Sequence, residues 1–333
     1  MTVAGVELWR TRIGAVALTG SRGVASFQYD PAFLASGIQL APLMMPLADR
    51  VYTFPELSPR TFRGLPGLLA DSLPDRFGNN LINTWLARQG RTADSFDAVE
   101  RLCYTGRRGM GALEFVPAQG PSAETSAPIQ MAELVALASE ILSQQEGLTT
   151  SLQEPEREQA LQTILRVGTS AGGARAKALI AWNPSTGEVR SGQLAALPGF
   201  SHWLLKFDGV SGNKDKELED PQGYGLIEYA YSRMAKASGI TMSDCRLLEE
   251  NGRRHFMTRR FDRDDTGKKL HMQSLGSLAH FDYNEPGNYS YEQAFLVMRQ
   301  LGLSMRDLEE QYRRMVFNLV ARNQDDHVKN IAF

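Results

Sequence analysis

The sequence is short of several things, and each shortage excludes a class of protein. Cysteine occurs twice in 333 residues, as Cys103 and Cys245, far apart and without metal-ligand spacing. That excludes a disulfide scaffold or a zinc module, and reduced thiols in a cytosolic protein are expected. No apolar run comes near the ~18 residues that cross a bilayer. The N-terminus lacks the charged start and long apolar stretch of a signal peptide. A soluble, cytoplasmic protein with no membrane partner is the reading. Net charge is scarce too: 36 Lys and Arg against 38 Asp and Glu leave −2, which argues against a globally basic nucleic-acid binder. There is no internal repeat, and no Gly-Lys-Ser/Thr ending that would make a Walker A loop.

What is present suits a folded chain of two or three domains, with 42% hydrophobic and 22% charged residues. Residues 1–60 read as short strands and turns. Segments 3–9, 14–18 and 24–29 are β-rich, 19–23 is a hairpin turn, and Pro42, Pro46, Pro55 and Pro59 leave no room for a long helix. A short helix and turn follow at 67–75, then apolar residues at helical spacing over 77–86. A further helix is expected at 95–103, with Asp94 as its N-cap. A glycine-rich loop at 105–111 runs into a strand. The Pro-, Ser- and Ala-rich stretch 117–129 reads as a linker. Beyond it come an amphipathic helix at 131–143, then a loop and short helix over 144–160. Strands follow at 176–182 and 202–207, and a helix at 226–238 stopped by Gly239. The last part is mainly helical, over 291–301 and 305–322.

The residues with chemistry to offer fall in the second half. Asp325 and Asn330, in Asp325-Asp326-His327-Val328-Lys329-Asn330, have the Asp-x4-Asn spacing that suits phosphoryl transfer. The aspartate can accept a proton from an attacking hydroxyl, and the asparagine can offer its amide oxygen to a magnesium ion. A solvated charged loop is the plain alternative. Small residues around Gly172-Gly173 let backbone amides approach phosphates, although such a loop alone is more often a mere turn. Lys206 lies between Leu205 and Phe207, where a strand aims it away from its apolar neighbours. Glu228 on the next helix can hold it. His327 is placed to steady the 325–330 loop, and Lys329 to neutralise phosphoryl charge or face water. Arg253, Arg254, Arg259, Arg260 and Arg263 form a basic cluster, read as a solvated strand face.

The order glycine-rich loop, strand, strand lysine, helix glutamate, Asp-x4-Asn is that of protein kinases, and a family resemblance comes with it. Ser170-Ala171-Gly172-Gly173-Ala174-Arg175-Ala176-Lys177-Ala178-Leu179, His202-Trp203-Leu204-Leu205-Lys206, Arg260-Phe261-Asp262-Arg263 and the 325–330 segment resemble the HipA family of serine/threonine kinase toxins. Gly67-Leu68-Leu69-Ala70-Asp71-Ser72-Leu73-Pro74-Asp75 and Gly109-Met110-Gly111-Ala112-Leu113 extend the resemblance to the N-terminal part.

It implies ATP and Mg2+ as cofactors, Asp325 as catalytic base and Asn330 as metal ligand. Lys206 would bind the phosphates, with Ser170, Ala171, Gly172, Gly173, Ala174 and Arg175 covering them. Arg259 to Phe261 would lie at the adenine hinge, mostly through backbone groups. Ser170 would be an autophosphorylation site, where a dianion repels the nucleotide. The implied partners are a HipB-like helix-turn-helix antitoxin, operator DNA through that antitoxin, and a protein substrate such as an aminoacyl-tRNA synthetase.

The expected fold class is therefore α+β. A β-rich module with helices spans 1–116, and the linker 117–129. A protein-kinase-like two-lobe domain follows, with its N-lobe at 130–258 and the start of a helical C-lobe at 259–333. Family members continue with a second metal-binding Asp and a further helical bundle, so the chain reads as C-terminally truncated, with apolar surface exposed. The alternatives are an inactive relative acting as antitoxin-binding co-repressor or decoy, and a small-molecule kinase, which would have no need of the N-terminal module.

Overall fold

The computed structural model describes residues 1–18, 23–120, 128–129, 131–143, 163–165, 167–168, 175–193, 198–210, 214–215, 218–219, 223–285 and 287–333. The loop and helix expected at 144–160 lie outside these residues, as does the turn expected at 19–23 apart from Gly23.

The N-terminal module is an antiparallel sheet in the order β4-β3-β2-β1-β5, built from β1 (Thr2–Leu8), β2 (Thr11–Leu18), β3 (Ala25–Tyr29), β4 (Val51–Tyr52) and β5 (Leu113–Val116). Alternation puts Ala4, Val6 and Leu8 inward, against Ile13, Val16 and Phe27. The first strand stops at Leu8, one residue short of the expected end. Trp9 and Arg10 both adopt positive φ (50° and 67°), a two-residue reversal that lets β2 begin at Thr11.

Helix Ala98–Thr105 packs on this sheet through Val99 and Leu102, while helix Arg76–Arg88 turns Phe77 and Leu81 to the core of the second sheet. The former begins three residues later than expected. Asp97, not Asp94, is the N-cap, because Asp97 and Glu100 close a capping box while 93–95 form only a 3-10 turn.

The second sheet runs β11-β12-β8-β6-β7, from β6 (Lys177–Trp182), β7 (Val189–Ser191), β8 (Ser201–Lys206), β11 (Cys245–Glu250) and β12 (Arg253–Arg259). β9 (Lys214–Asp215) and β10 (Leu218–Glu219) pair separately. One face of the sheet, with Ala178, Ile180, Trp203, Leu205 and Met257, packs on Leu134, Val135 and Ala138 of helix Met131–Ser143. By alternation the opposite face carries Lys177 and Lys206, which are directly paired neighbours across β6 and β8. Helix Tyr224–Ala237 lies close to β12. A Cβ at Gly225 would stand 2.2 Å from the Arg254 carbonyl oxygen, so the approach needs glycine.

Helices Leu275–Ala279, Tyr291–Gln300 and Met305–Val320 make the last part. Leu275, Leu278, Ala294, Val297 and Val328 form its small core. The arrangement is two-lobed, as a protein-kinase-like domain requires, with the 259–263 segment leading from one lobe to the other. Helix Met305–Val320 leaves Met305, Tyr312, Leu319 and Val320 exposed. Among the described residues no helix is long and apolar enough to cross a membrane.

The junction between the N-terminal module and the last part holds a neutral histidine. The His280 ring lies 4.5 Å from Phe54 and 5.8 Å from Phe62, centroid to centroid. Its Nε2 accepts the Gly67 N–H at 3.1 Å. Burial pushes its pKa down to about 4, against a smaller opposing effect of Glu56. A folded pKa below the unfolded value means that the unfolded chain takes up the proton first as pH falls. Stability from neutral His280 is thus full above about pH 6.5 and declines by about 1.4 kcal/mol per unit toward the folded pKa. Urea unfolding at pH 7.5 and pH 5.0 should show the loss, and His280→Phe should show a smaller one.

Candidate active site

Lys206 closes β8, and Glu228 lies one turn into the helix that follows. Lys206 Nζ is 2.8 Å from Glu228 Oε2, and Arg175 Nη1 is 3.4 Å from Glu228 Oε1. Arg175 also stacks 3.6 Å over the Tyr224 ring. The Lys206 side chain keeps 34% exposure, so the ammonium can still meet a ligand. Asp208 fixes the start of the same helix, its Oδ1 accepting Gly223 N–H at 2.9 Å. Asp208 N–H in turn donates to His255 Nδ1 at 2.9 Å. His255 is fully buried, and burial holds its pKa below the ordinary value, with Glu250 opposing.

The 325–330 loop separates its two adjacent aspartates. Asp326 turns inward: the Tyr291 hydroxyl donates to its Oδ2, and Asn318 Nδ2 does so at 2.9 Å. Asp325 turns outward and its side chain is 75% exposed, with His327 Nε2 3.6 Å from Oδ1. Asn330 Nδ2 donates to the Asp325 carbonyl at 2.6 Å, which leaves the Asn330 amide oxygen for a metal. His327 Nδ1 accepts Lys329 N–H at 3.3 Å. The Tyr283 ring supports both, 5.6 Å from the His327 ring and 4.9 Å from Lys329 Nζ.

Two lysines flank this region beside Lys206. Burial is the main cause that lowers the Lys177 pKa. Asp75 opposes it, while the charges of Lys206 and Lys329 add to it. Lys177 thus lies within electrostatic reach of Lys206 and of Lys329, while its own charge is matched by Asp75 at 2.8 Å.

Of the other residues singled out from sequence, 170–174 lie outside the described residues. Arg259 and Arg260 spend their backbone N–H groups inside the protein, on Asp244 O and His202 O. An adenine at this segment therefore cannot use these two amides. Phe261 is largely exposed. Arg253, Arg254 and Arg259 do lie on the solvent-accessible part of β12, in surface pairs with Glu250, Glu249 and Asp265, but Arg260 and Arg263 depart from the solvated reading. Arg260 and Arg263 are buried against Asp262 at 2.6 and 2.9 Å, and Arg259 pairs with Asp265 at 2.7 Å. Burial alone would raise the Asp262 pKa, but Arg260, then Arg263 and the Gly111 N–H, hold it below the usual range.

Asp71, Asp75, Lys177 and Asp262 stand in motifs legible in the sequence, but their spacing names no chemistry for them. The one signal they carry is a charge inside an apolar run, as in Ala176-Lys177-Ala178-Leu179, which demands a buried partner.

Among the described residues no three His, Cys, Asp or Glu side chains gather as a metal cage. Fold and residues together define a mixed α/β protein in which a β-rich module precedes a two-lobed domain. Residues 4–116 match the HipA N-terminal domain and residues 169–333 the HipA-like C-terminal domain; the chain belongs to the HipA family. A solved structure of the Shewanella oneidensis MR-1 toxin–antitoxin system, HipA with HipB and its operator DNA, is similar at a TM-score of 0.62 and 17% identity, over 99% of this chain and 72% of that one. At that identity the likeness is one of fold. No curated protein matches the sequence.

Proposed function

We propose that the chain is a HipA-like serine/threonine protein kinase, the toxin of a toxin–antitoxin pair. The observation that carries the reading is the Lys206–Glu228 ion pair at 2.8 Å, the lysine–helix glutamate contact that kinases use to hold ATP phosphates. The outward Asp325 and the amide oxygen of Asn330 support it. In this reading ATP with magnesium supplies the γ-phosphoryl group. Lys206 holds the phosphates, with Glu228 and Arg175 fixing its position. Asp325 accepts the proton of the attacking protein hydroxyl, and His327 keeps the carboxylate turned outward. Asn330 offers its oxygen to the metal. Ser170 is the candidate for self-modification, and a translation component such as an aminoacyl-tRNA synthetase the candidate substrate. By analogy with the Shewanella complex, a HipB-like antitoxin is the proposed partner, with operator DNA reached through it.

Intact-mass spectrometry after incubation with ATP and magnesium tests the reading. A gain of one phosphate by the parent, absent from Asp325→Ala and Ser170→Ala, is expected. No gain, together with no shift in melting temperature on adding ATP, would overturn it and leave an antitoxin-binding co-repressor.

A further inference from the structure

The N-terminal module presents two carboxylates four residues apart, and each reaches a different lobe. Asp75 Oδ1 caps helix Arg76–Arg88 through Gly78 N–H at 2.7 Å. Its Oδ2 takes Lys177 Nζ at 2.8 Å, with both side chains almost wholly buried. Lys177 is the strand neighbour of Lys206. Asp71 reaches the other way. Its Oδ2 accepts Ser274 N–H at 2.6 Å and its Oδ1 accepts the Ser274 hydroxyl at 2.8 Å. Ser274 opens the segment to which the end of the 325–330 loop is tied, through Gly276 N–H to Val328 O at 3.0 Å and Leu275 N–H to Ile331 O at 2.8 Å.

The spacer between the carboxylates is stiff. Ser72 and Leu73 are buried, and Pro74 has a fixed φ. The same module grips the crossing between lobes, where Gly111 N–H donates to Asp262 Oδ2 at 2.7 Å.

We propose that Asp71 and Asp75 are positioning residues that together form a strut, holding the Lys206 sheet at a set distance from the Asp325 loop. The effect on phosphoryl transfer rests on the kinase reading above; the mechanical claim does not. A purely local role, in which each carboxylate only stabilises its own surroundings, would leave the distance between the lobes unchanged.

Spin labels test this on the full chain. Cysteines placed at Ser185, in the exposed turn after β6, and at Glu309, exposed on helix Met305–Val320, with Cys245→Ser, allow pulsed electron–electron distance measurement. The parent should give one narrow distribution, and Asp71→Asn/Asp75→Asn a broad one. Asparagine keeps an oxygen for each backbone N–H but loses the charge. The pair Asp75→Ala/Lys177→Met leaves no orphaned buried ammonium and should broaden the distribution too. A narrow, parent-like distribution in either folded variant overturns the strut. With the kinase reading intact, the transfer rate at saturating ATP should also fall, on the order of 10²-fold for a misplacement of about 1 Å. A parent that transfers nothing while the distances behave as stated would sink the kinase reading and leave the strut standing.

Discussion

Asp262→Ala is expected to destabilise the protein by about 3–5 kcal/mol, because it leaves two buried guanidinium groups without their counter-charge. Arg260 and Asp262 side chains are both fully buried in their pair, and Arg263 is nearly so. Their surroundings supply little replacement, since Arg263 otherwise reaches backbone carbonyls such as Gly111 O at 3.2 Å. The loss also cuts the Gly111 N–H contact, so the N-terminal module and the lobe crossing loosen together. Urea unfolding of parent and variant at pH 7.5 measures it. A loss under about 1 kcal/mol would mean that water reaches the cluster and screens it, as at a surface pair. Arg260→Met/Asp262→Leu, which removes the central pair outright, should recover part of the loss.

The second large effect is on rate. If the chain is the kinase proposed above, Asp325→Asn is expected to lower phosphoryl transfer by about 10²–10⁴-fold, the usual contribution of a general base, while leaving nucleotide affinity near that of the parent. The substitution is nearly isosteric, and the contact that shapes the loop uses the Asp325 backbone carbonyl rather than its side chain. On the proposed kinase reading Lys206→Met should behave differently, raising KM for ATP, because it would remove a phosphate contact instead of a proton acceptor. Initial rates against ATP concentration separate the two. If Asp325→Asn changes KM and leaves kcat untouched, the carboxylate binds substrate and is not the base.

Much of the fold is legible in the sequence. The alternation in Val3–Leu8 and the run Ala178–Trp182 mark strands, and the helix expected over 305–322 runs Met305–Val320. The Lys206 and Glu228 pairing follows from the order of elements, since a strand lysine and the next helix have few other ways to meet.

Long-range charge matching is what the sequence hides. Asp75 and Lys177 are 102 residues apart, and neither carries a local pattern that names its partner. The five arginines mislead for the same reason. Counted along the chain they look like a basic surface, yet Asp262, placed among them, turns two of them into interior groups. Helix starts slip where two acidic residues compete, as at Asp94 and Asp97, because the capping box depends on Glu100 reaching back, a matter of geometry rather than of composition.

Strand β5 pairs with β1, matching Gly5 with Val116, and this pairing bears on how the protein is made. The opening strand must wait on the ribosome until about 110 further residues have followed it. At ~5–20 residues per second that is roughly 5–20 seconds with one sheet edge unclosed. Asp71, Asp75 and Glu114 are all synthesised by then, ahead of the groups they will meet: Ser274 for Asp71, Lys177 for Asp75, and Lys269 for Glu114 at 2.7 Å. The later lobes thus emerge beside a surface already set, and fold against it as against a template.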